Sequence, residues 1–339
     1  MYKSRPTIRL LAFCSAVLLA FPTRFAAAAG YVDRPEVQQF ITRMVQQDGF
    51  DKAWLEQVFA AAQKRDAILT AIAKPYESRP WYQYNALFVT DRRITAGVSF
   101  WEQHRAELQK AEAVYGIPAS LIVAILGVES FYGHQKGGYP VLDALTTLSF
   151  DYPPRAAFFQ GELEQYLLMC REQAFDPRIP TGSYAGAMGV PQFMPDSYRQ
   201  YAVTFDGMGK PDIWNDWADI IGSVANFFHA HGWQQDGLVA VPAALPQNMP
   251  LPADTANYAP VTVAALREQH VFLSAGVPDD EEAILVPLQL QHGTDYWVGL
   301  HNFRVLTQYN KSALYAMAVI SLGRRIAEAR AELAHSAPP

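Results

Sequence analysis

Cysteine is almost absent from this chain of 339 residues, which contains only Cys14 and Cys170. Cys14 lies in an N-terminal apolar run, so removal of that run leaves one thiol and excludes an intrachain disulfide. We interpret Cys170 as a small buried side chain of a helix rather than as a reactive group. The eight histidines are scattered, and no cluster of histidine, cysteine and acidic residues has the spacing of a zinc site.

An excess of positive charge and long hydrophobic runs are also missing. The net charge is -6 and the isoelectric point is about 5.8, which gives no basic surface for nucleic acid and excludes it as an expected partner. Beyond the N-terminal run, no segment approaches the ~18 uninterrupted apolar residues of a membrane-spanning helix. Half of the residues are hydrophobic, which is enough for a large core or for two to three smaller modules.

The N-terminus has the features of a secretory signal peptide. Basic residues come first, an apolar run covers residues 10–21, and small residues follow at 26–30. We therefore predict a signal peptide over residues 1–29 and a periplasmic location, with no transmembrane segment once the signal is removed. A lipid anchor at Cys14 is the less favoured alternative, because Phe13 stands where the lipid-attachment motif needs a small residue.

Hydrophobic periodicity predicts a mainly α fold of the α+β kind. Apolar residues at helical spacing indicate helices over 53–73 and 91–115, among others. Prolines and short alternating segments replace this pattern over 238–300, which favours a small β-containing insert. The predicted organisation has four parts: a helical module at 30–115, a core at 116–237, the insert at 238–300, and a returning C-terminal helix within 301–335.

Glu129 closes a segment that is otherwise almost wholly apolar, from Leu121 to Gly133. Such a helix is normally buried on all sides, so we expect the carboxyl group at its end to be partly desolvated. Desolvation disfavours the charged form and raises the pKa of a carboxyl group. An acid that is still protonated near neutral pH can donate its proton to a leaving group, as sugar-cleaving enzymes require.

Two further segments offer groups that can bind a ligand. Residues 183–195 are rich in small residues, and Ser183, Tyr184 and Gln192 can form hydrogen bonds with sugar hydroxyl and acetamido groups. Taken alone, this segment is more typical of a plain loop, and its glycines lack the spacing of a phosphate-binding loop. Tyr309 is either a core residue or a phenol facing a cleft, and Asn310 is either the N-cap of the C-terminal helix or a ligand-binding group.

Together these segments resemble the lytic murein transglycosylase B family, of the MltB or SltB type. The resemblance extends over residues 37–333 and involves several separate motifs in the same order. The segments that carry it are residues 100–133, 141–150, 183–195, 221–228 and 309–310.

The resemblance implies a lysozyme-like catalytic core with an added helical module and a small β module. Members cleave the β-1,4 bond between N-acetylmuramic acid and N-acetylglucosamine of peptidoglycan without water, which leaves a 1,6-anhydromuramoyl end. Their one catalytic acid corresponds to Glu129, acting first as acid and then as base. No second carboxylate is needed, unlike in most glycosidases. The nearest candidates are Asp143 and Asp151, and we interpret both as forming structural hydrogen bonds.

The resemblance also implies residues that bind the glycan. Arg155 would hold the saccharide or its peptide, with a solvated surface charge as the competing interpretation, and Pro154 stands where relatives have a second arginine. The other expected binding residues are Ser183, Gln192, Tyr309, Asn310, Tyr84, Tyr184 and Tyr315. Relatives can carry a calcium loop at residues 204–215, but Met208 and Lys210 occupy two ligand positions there. We therefore predict no tight calcium site and no cofactor.

Two alternatives remain open. One is a muramidase of similar fold that hydrolyses the same bond, and the other is an inactive glycan-binding scaffold. The nature of the new saccharide end separates the two enzymes, and any release of fragments excludes the scaffold. The expected partners are peptidoglycan glycan strands and proteins of cell-wall synthesis or division, and the expected state is a monomer.

Overall fold

The computed structural model describes residues 30–73, 79–207, 209–246, 260–274 and 276–336. The predicted signal peptide, Cys14 and Met208 lie outside the described residues. Cys170 is fully buried and unoxidised, and burial raises the pKa of its thiol to about 12. Both observations agree with its interpretation as a buried structural side chain.

The described residues of the N-terminal part form the α-helices α1 Pro35–Asp48, α2 Lys52–Ala61, α3 Asp66–Ile72, α4 Trp81–Phe88, α5 Asp91–Gln103 and α6 Arg105–Tyr115. The prediction of one helix over 53–73 is wrong, because residues 62–65 are not helical and the backbone at Ala62 and Arg65 is extended. Their backbone is held from outside: Gln63 N donates to Asp143 Oδ1 over 2.9 Å and Arg65 N donates to Thr147 Oγ1 over 3.1 Å. The predicted helix 91–115 is likewise broken, at His104, whose ring packs against Phe100 and Trp217.

Five helices form the middle of the chain: α7 Ala119–Ser130, α8 Val141–Asp151, α9 Ala156–Gln173, α10 Pro195–Tyr201 and α11 Trp217–Ala230. The apolar pattern of α7 has its predicted consequence, since residues 122–126 are fully buried. Strand β1 Tyr139–Pro140 pairs antiparallel with β2 Thr181–Gly182. This short ladder joins the loop after α7 to the segment that begins at Ser183.

The strands of the second sheet all lie within residues 240–299, where prolines and alternation predict them. They are β3 Ala240–Ala244, β4 Val261–Thr262, β5 Phe272–Leu273, β6 Glu282–Gln289 and β7 Thr294–Gly299, with the short helix α12 Val263–Glu268. The sheet is antiparallel with the order β4-β6-β7-β3-β5. Val263, Leu285 and Val298 belong to a small hydrophobic core of its own.

Residues 301–335 contain two helices instead of the single one expected: α13 His301–Tyr309 and α14 Ala313–Ser336. The interpretation of Asn310 as an N-cap is wrong, because Asn310 ends α13 in an extended conformation. Ser312 is the cap instead, and its Oγ accepts from Tyr315 N over 3.2 Å. Helix α14 packs against α4, α5 and α7.

Within the described ranges, no single helix is both long enough and apolar enough to span a membrane. Helices α6 and α7 meet both conditions only as a pair, and the two are bent by 116°. Because residues 122–126 of α7 are fully buried, that apolar surface is already covered by protein.

Candidate active site

The last turn of α7 holds Glu129 in a constrained setting. Phe131, Tyr132 and Gly133 follow with φ values of 49°, 56° and 83°, a left-handed conformation that is uncommon for residues other than glycine. Ser130 closes this turn, because its Oγ accepts from Gly133 N over 3.0 Å and its carbonyl accepts from Gln135 N over 2.8 Å. The turn therefore ends the helix one residue after Glu129 and fixes where its side chain emerges.

The Glu129 carboxyl group is half-buried and meets a phenol from the C-terminal helix. Tyr315 OH donates to Glu129 Oε1 over 2.5 Å, and the Tyr315 side chain is almost fully buried. Burial raises the pKa of Tyr315 well above its usual value, and the charge of Glu129 raises it further. The phenol thus keeps its proton and acts as a donor to Oε1.

Tyr309 connects this acid to the segment at 183–195. Its hydroxyl donates to the carbonyl of Pro191 over 2.6 Å, and its ring stacks on Phe228 with the ring centroids 5.4 Å apart. Burial raises the pKa of Tyr309, with a further contribution from the charge of Glu129. Tyr84, buried on α4, contributes in the same way to the pKa of Tyr315. The charge of Glu129 thus affects both Tyr309 and Tyr315, whereas Tyr84 acts on Tyr315.

Ser183 and Gln192 shape the loop in which they lie. Ser183 Oγ accepts from Ala185 N over 3.2 Å and from Ala187 N over 3.1 Å, which leaves its hydroxyl hydrogen as the donor. Gln192 adopts a left-handed conformation with φ 55°. Its Nε2 donates to the carbonyls of Gly189 and Lys136 over 2.8 and 3.2 Å, so its Oε1 is the atom left to accept from a ligand.

Three predicted binding residues have other surroundings. Arg155 is exposed, and its guanidinium lies 4.4 Å from the ring centroid of Phe158 and 5.2 Å from that of Phe159. Tyr184 is half-buried and packs against the main hydrophobic core. Asn310 is half-buried at the junction between α13 and α14. These contacts do not test the predicted roles of the three residues.

The two aspartates of α8 form structural hydrogen bonds, as interpreted from the sequence. Asp143 is 5% exposed and accepts from Gln63 N and from Arg65 Nε, both over less than 3 Å. Asp151 accepts from Tyr31 OH over 2.5 Å and from Arg34 Nη1 over 3.0 Å. Both carboxylates are therefore engaged in joining the N-terminal segment to α8.

Sequence reasoning missed Glu162, a buried acid on α9. It is 5% exposed, and its Oε2 accepts from Asp196 N over 3.2 Å. Burial raises the pKa of Glu162 to about 7, and the neighbouring charge of Asp196 contributes. The signal was present, because Glu162 lies between Phe159 and Tyr166 on the apolar face of its helix.

Comparisons with known proteins agree across most of the chain. A family model described as the transglycosylase SLT domain matches residues 33–324. The chain is 42% identical, over 318 residues, to the membrane-bound lytic murein transglycosylase B of Escherichia coli (strain K12), a match that covers 89% of this chain and 85% of that protein.

Solved structures show the same similarity. The catenated lytic transglycosylase SltB1 of Pseudomonas aeruginosa is 44% identical with a TM-score of 0.82, covering 88% of this chain and 99% of its own. SltB3 of the same organism, solved in complex with NAG-anhNAM-pentapeptide, is 31% identical with a TM-score of 0.70 and covers 85% of this chain and 78% of its own. At these identities and TM-scores the likeness extends beyond a shared fold class.

Proposed function

Because this chain belongs to the MltB/SltB family of lytic transglycosylases, which degrade peptidoglycan, we propose the bond, the product and the acid of its reaction. The enzyme cleaves the β-1,4 bond between N-acetylmuramic acid and N-acetylglucosamine without water. The product is a 1,6-anhydromuramoyl end, and Glu129 is the single acid and base. SltB3 in complex with NAG-anhNAM-pentapeptide supports this product, because a relative holds the same kind of end.

Glu129 acts twice in the proposed reaction. Its carboxyl group first gives a proton to the glycosidic oxygen, so that the N-acetylglucosamine unit leaves as an alcohol while the substrate's own acetamido group supports the positive charge at C1. The carboxylate then removes the proton from the muramoyl C6 hydroxyl as that oxygen bonds to C1. Proton and bonds balance without water, and Tyr315 OH can stay bound to Oε1 in both states.

The observation that carries this proposal is the hydrogen bond between Tyr315 OH and Glu129 Oε1 at the end of a buried helix. A donor that keeps its own proton steadies the carboxyl group in either protonation state, as an acid that also serves as base requires. By contrast, the arginine bonds of Asp143 and Asp151 argue against either as a second catalytic carboxylate.

We propose that the glycan strand binds beside Glu129, in contact with residues of three segments. These residues are Arg155, Ser183, Tyr184, Gln192, Tyr309 and Asn310, while Tyr84 and Tyr315, which are 1% and 3% exposed, support the site from within the core. Hydroxyl, amide and guanidinium groups suit sugar hydroxyl and acetamido groups, and the aromatic rings suit the apolar faces of the sugars. The proposed setting is the periplasm, where a monomer acts on peptidoglycan and meets proteins of cell-wall synthesis or division.

We also propose that the reaction needs no metal. The segment 204–215 is held by Asp219 from helix α11. The two carboxylate oxygens of Asp219 accept from Phe205 N and from Asp212 N, over 2.6 and 3.0 Å. Lys110 Nζ donates to the carbonyl of Phe205, so a cationic group already lies at this loop. We expect chelators to leave the rate unchanged. A rise of several degrees in the melting temperature at micromolar calcium would contradict the prediction that residues 204–215 hold no tight calcium site.

Product analysis in isotopically labelled water tests the proposed reaction. Purified peptidoglycan is digested in H₂¹⁸O, and the fragments are analysed by mass spectrometry before and after borohydride treatment, with a hydrolytic muramidase run in parallel. We expect anhydro ends that carry no ¹⁸O and resist reduction. Reducible ends labelled with ¹⁸O would assign a hydrolase, and failure to release any fragment would favour the inactive scaffold.

A further inference from the structure

Arg93, on the first turn of α5, directs its guanidinium to backbone carbonyls. Its Nε donates to the carbonyl of Gly127 over 2.8 Å, and its Nη1 donates to the carbonyls of Leu87 and Phe88 over 2.7 and 3.1 Å. The side chain is half-buried, and burial lowers the pKa of Arg93. Placing a cation in such surroundings costs free energy, which the three carbonyl dipoles offset.

The three carbonyls belong to the C-terminal ends of two helices. Gly127 lies in the last turn of α7, two residues before Glu129, and Leu87 and Phe88 end α4, the helix that carries Tyr84. The last carbonyls of a helix have no partner within the helix and lie at the negative end of its dipole. One guanidinium therefore satisfies carbonyls at both ends and joins the two helices.

The turn after Glu129 is bound to Arg93 a second time. Tyr132 OH donates to the backbone carbonyl of Arg93 over 3.0 Å. The hydroxyl fills a narrow space between α5 and α7, because a Cβ added at Gly97 or at Gly127 would lie only 2.5 or 2.6 Å from it. Both the side chain and the main chain of Arg93 thus hold the end of α7.

We propose that Arg93 is a positioning residue for bond cleavage: by joining the ends of α7 and α4, it sets the Glu129 carboxyl group against the Tyr315 hydroxyl. The inference rests on the proposed function only in giving Glu129 the proton transfer. Reacting groups need placement within a fraction of an ångström, and a misplacement of about 1 Å can cost about a hundredfold in rate. Arginine suits the task because its planar fork reaches several acceptors at once, whereas a lysine ammonium is a single point on a flexible stem.

Arg92 provides a matched control. It is the neighbouring residue on α5, is exposed, and places its guanidinium 4.9 Å from the ring centroid of Phe131, where that of Arg93 lies 5.3 Å away. Arg92→Lys therefore also replaces a guanidinium beside the Phe131 ring by an ammonium, but it leaves the bonds from Arg93 to the three carbonyls intact. We expect it to leave kcat and the melting temperature near those of the wild type.

The test compares kcat, KM and melting temperature on soluble glycan strands for the wild type, Arg93→Lys, Arg93→Ala and Arg92→Lys. We expect Arg93→Lys to lower kcat about tenfold with KM within about twofold, and millimolar guanidinium to restore part of the kcat of Arg93→Ala. The pH dependence of kcat shifts in Arg93→Lys as well, because the surroundings of the Glu129 carboxyl group change. Where Arg93→Ala does not fold, Arg93→Lys carries the test.

A wild-type kcat in Arg93→Lys would overturn the positioning role, and so would a loss of kcat that only follows the folded fraction and shows no shift in pH dependence. Glu129→Gln, measured beside these variants, keeps the two proposals apart. Full activity of Glu129→Gln would remove the proposed function. An inactive Glu129→Gln together with a fully active Arg93→Lys would remove only the role of Arg93.

Discussion

Helices α7 and α8 follow one another in the chain, and the hydrogen-bond partners of their acids differ. On α8, Asp143 and Asp151 are each bonded by an arginine of the N-terminal segment, Arg65 and Arg34, and Asp151 accepts from the phenol of Tyr31 as well. On α7, Glu129 receives a phenol hydrogen bond from Tyr315. An arginine fixes a carboxylate in its charged form, whereas a neutral donor tolerates both protonation states. The acids of α8 are thus suited to joining segments, and the acid of α7 is suited to proton transfer.

Glu162 on α9 adds a third environment to this comparison. Its carboxyl group is buried and faces a second acid, Asp196, while the more distant charge of Arg155 only partly offsets the effect. Burial and like charge both favour the protonated form. A raised pKa alone therefore does not identify a catalytic acid, since the Glu162 oxygen bonds the backbone of Asp196 at the start of α10.

The largest expected effect comes from Glu129→Gln. The amide keeps an oxygen that accepts from Tyr315 OH but has no acidic proton, so the fold is retained while proton transfer is lost. We expect the rate of fragment release to fall about a thousandfold, within the range found when a general acid is removed. The measurement is the release of fragments per folded molecule, with the melting temperature as control. A loss of rate below tenfold would contradict the proposed difference in role between the acid of α7 and the acids of α8.

Asp143→Asn should give the reverse pattern. The amide can still accept from Gln63 N, but Arg65 loses its anionic partner, at a site that is buried on the aspartate side and about half-exposed on the arginine side. We expect the free energy of unfolding to fall by about 2 to 3 kcal/mol, between the values for buried and for surface pairs. Urea unfolding measures this change, and the rate per folded molecule stays near that of the wild type. A stable variant with a lost rate would bring Asp143 into the chemistry.

Local sequence patterns predicted most of the helices and strands. The end of α7 shows which features of the site such patterns can predict and which they cannot. The unbroken apolar run predicts a buried helix that ends beside Glu129, and α7 is that helix. The bond from Tyr315 joins residues 186 positions apart, and no periodicity reports such a contact. Tyr315 entered the predicted site through the family resemblance, whereas Arg93 carried no signal, because a surface charge and a carbonyl-binding guanidinium look identical in a sequence.

Errors arose where distant groups overrode local preference. Residues 62–65 continue a helical pattern, yet Asp143 and Thr147 from α8 bind the backbone of Gln63 and Arg65 and keep it out of a helix. At the C-terminal junction, Asn310 and Ser312 are both good caps by residue type, and only the path of α13 decides between them. In both cases the choice depends on tertiary contacts between segments that are far apart in the chain.

Glu162→Gln is expected to have the smallest effect of the three variants. It tests the comparison at α9, through the pH dependence of the free energy of unfolding. The pKa of Glu162 is about 7 in the folded chain and near 4.5 in the unfolded chain, so between these pH values the folded state binds more protons. Stability contributed by the protonated acid is therefore present below pH 4.5 and is lost as pH rises towards 7. The amide keeps an acceptor for Asp196 N and does not titrate.

We expect the wild type to lose about 1 to 2 kcal/mol of unfolding free energy between pH 5 and pH 8 relative to Glu162→Gln, as urea titrations at each pH would show. Asp196→Asn removes the like charge but not the burial of Glu162, so its loss over the same range should be smaller than that of the wild type. Parallel pH dependence in the wild type and Glu162→Gln would mean that Glu162 ionises in the folded chain as it does in the unfolded one. In that case, the burial of Glu162 without an arginine partner would not explain a difference between the acid of α9 and the acids of α8.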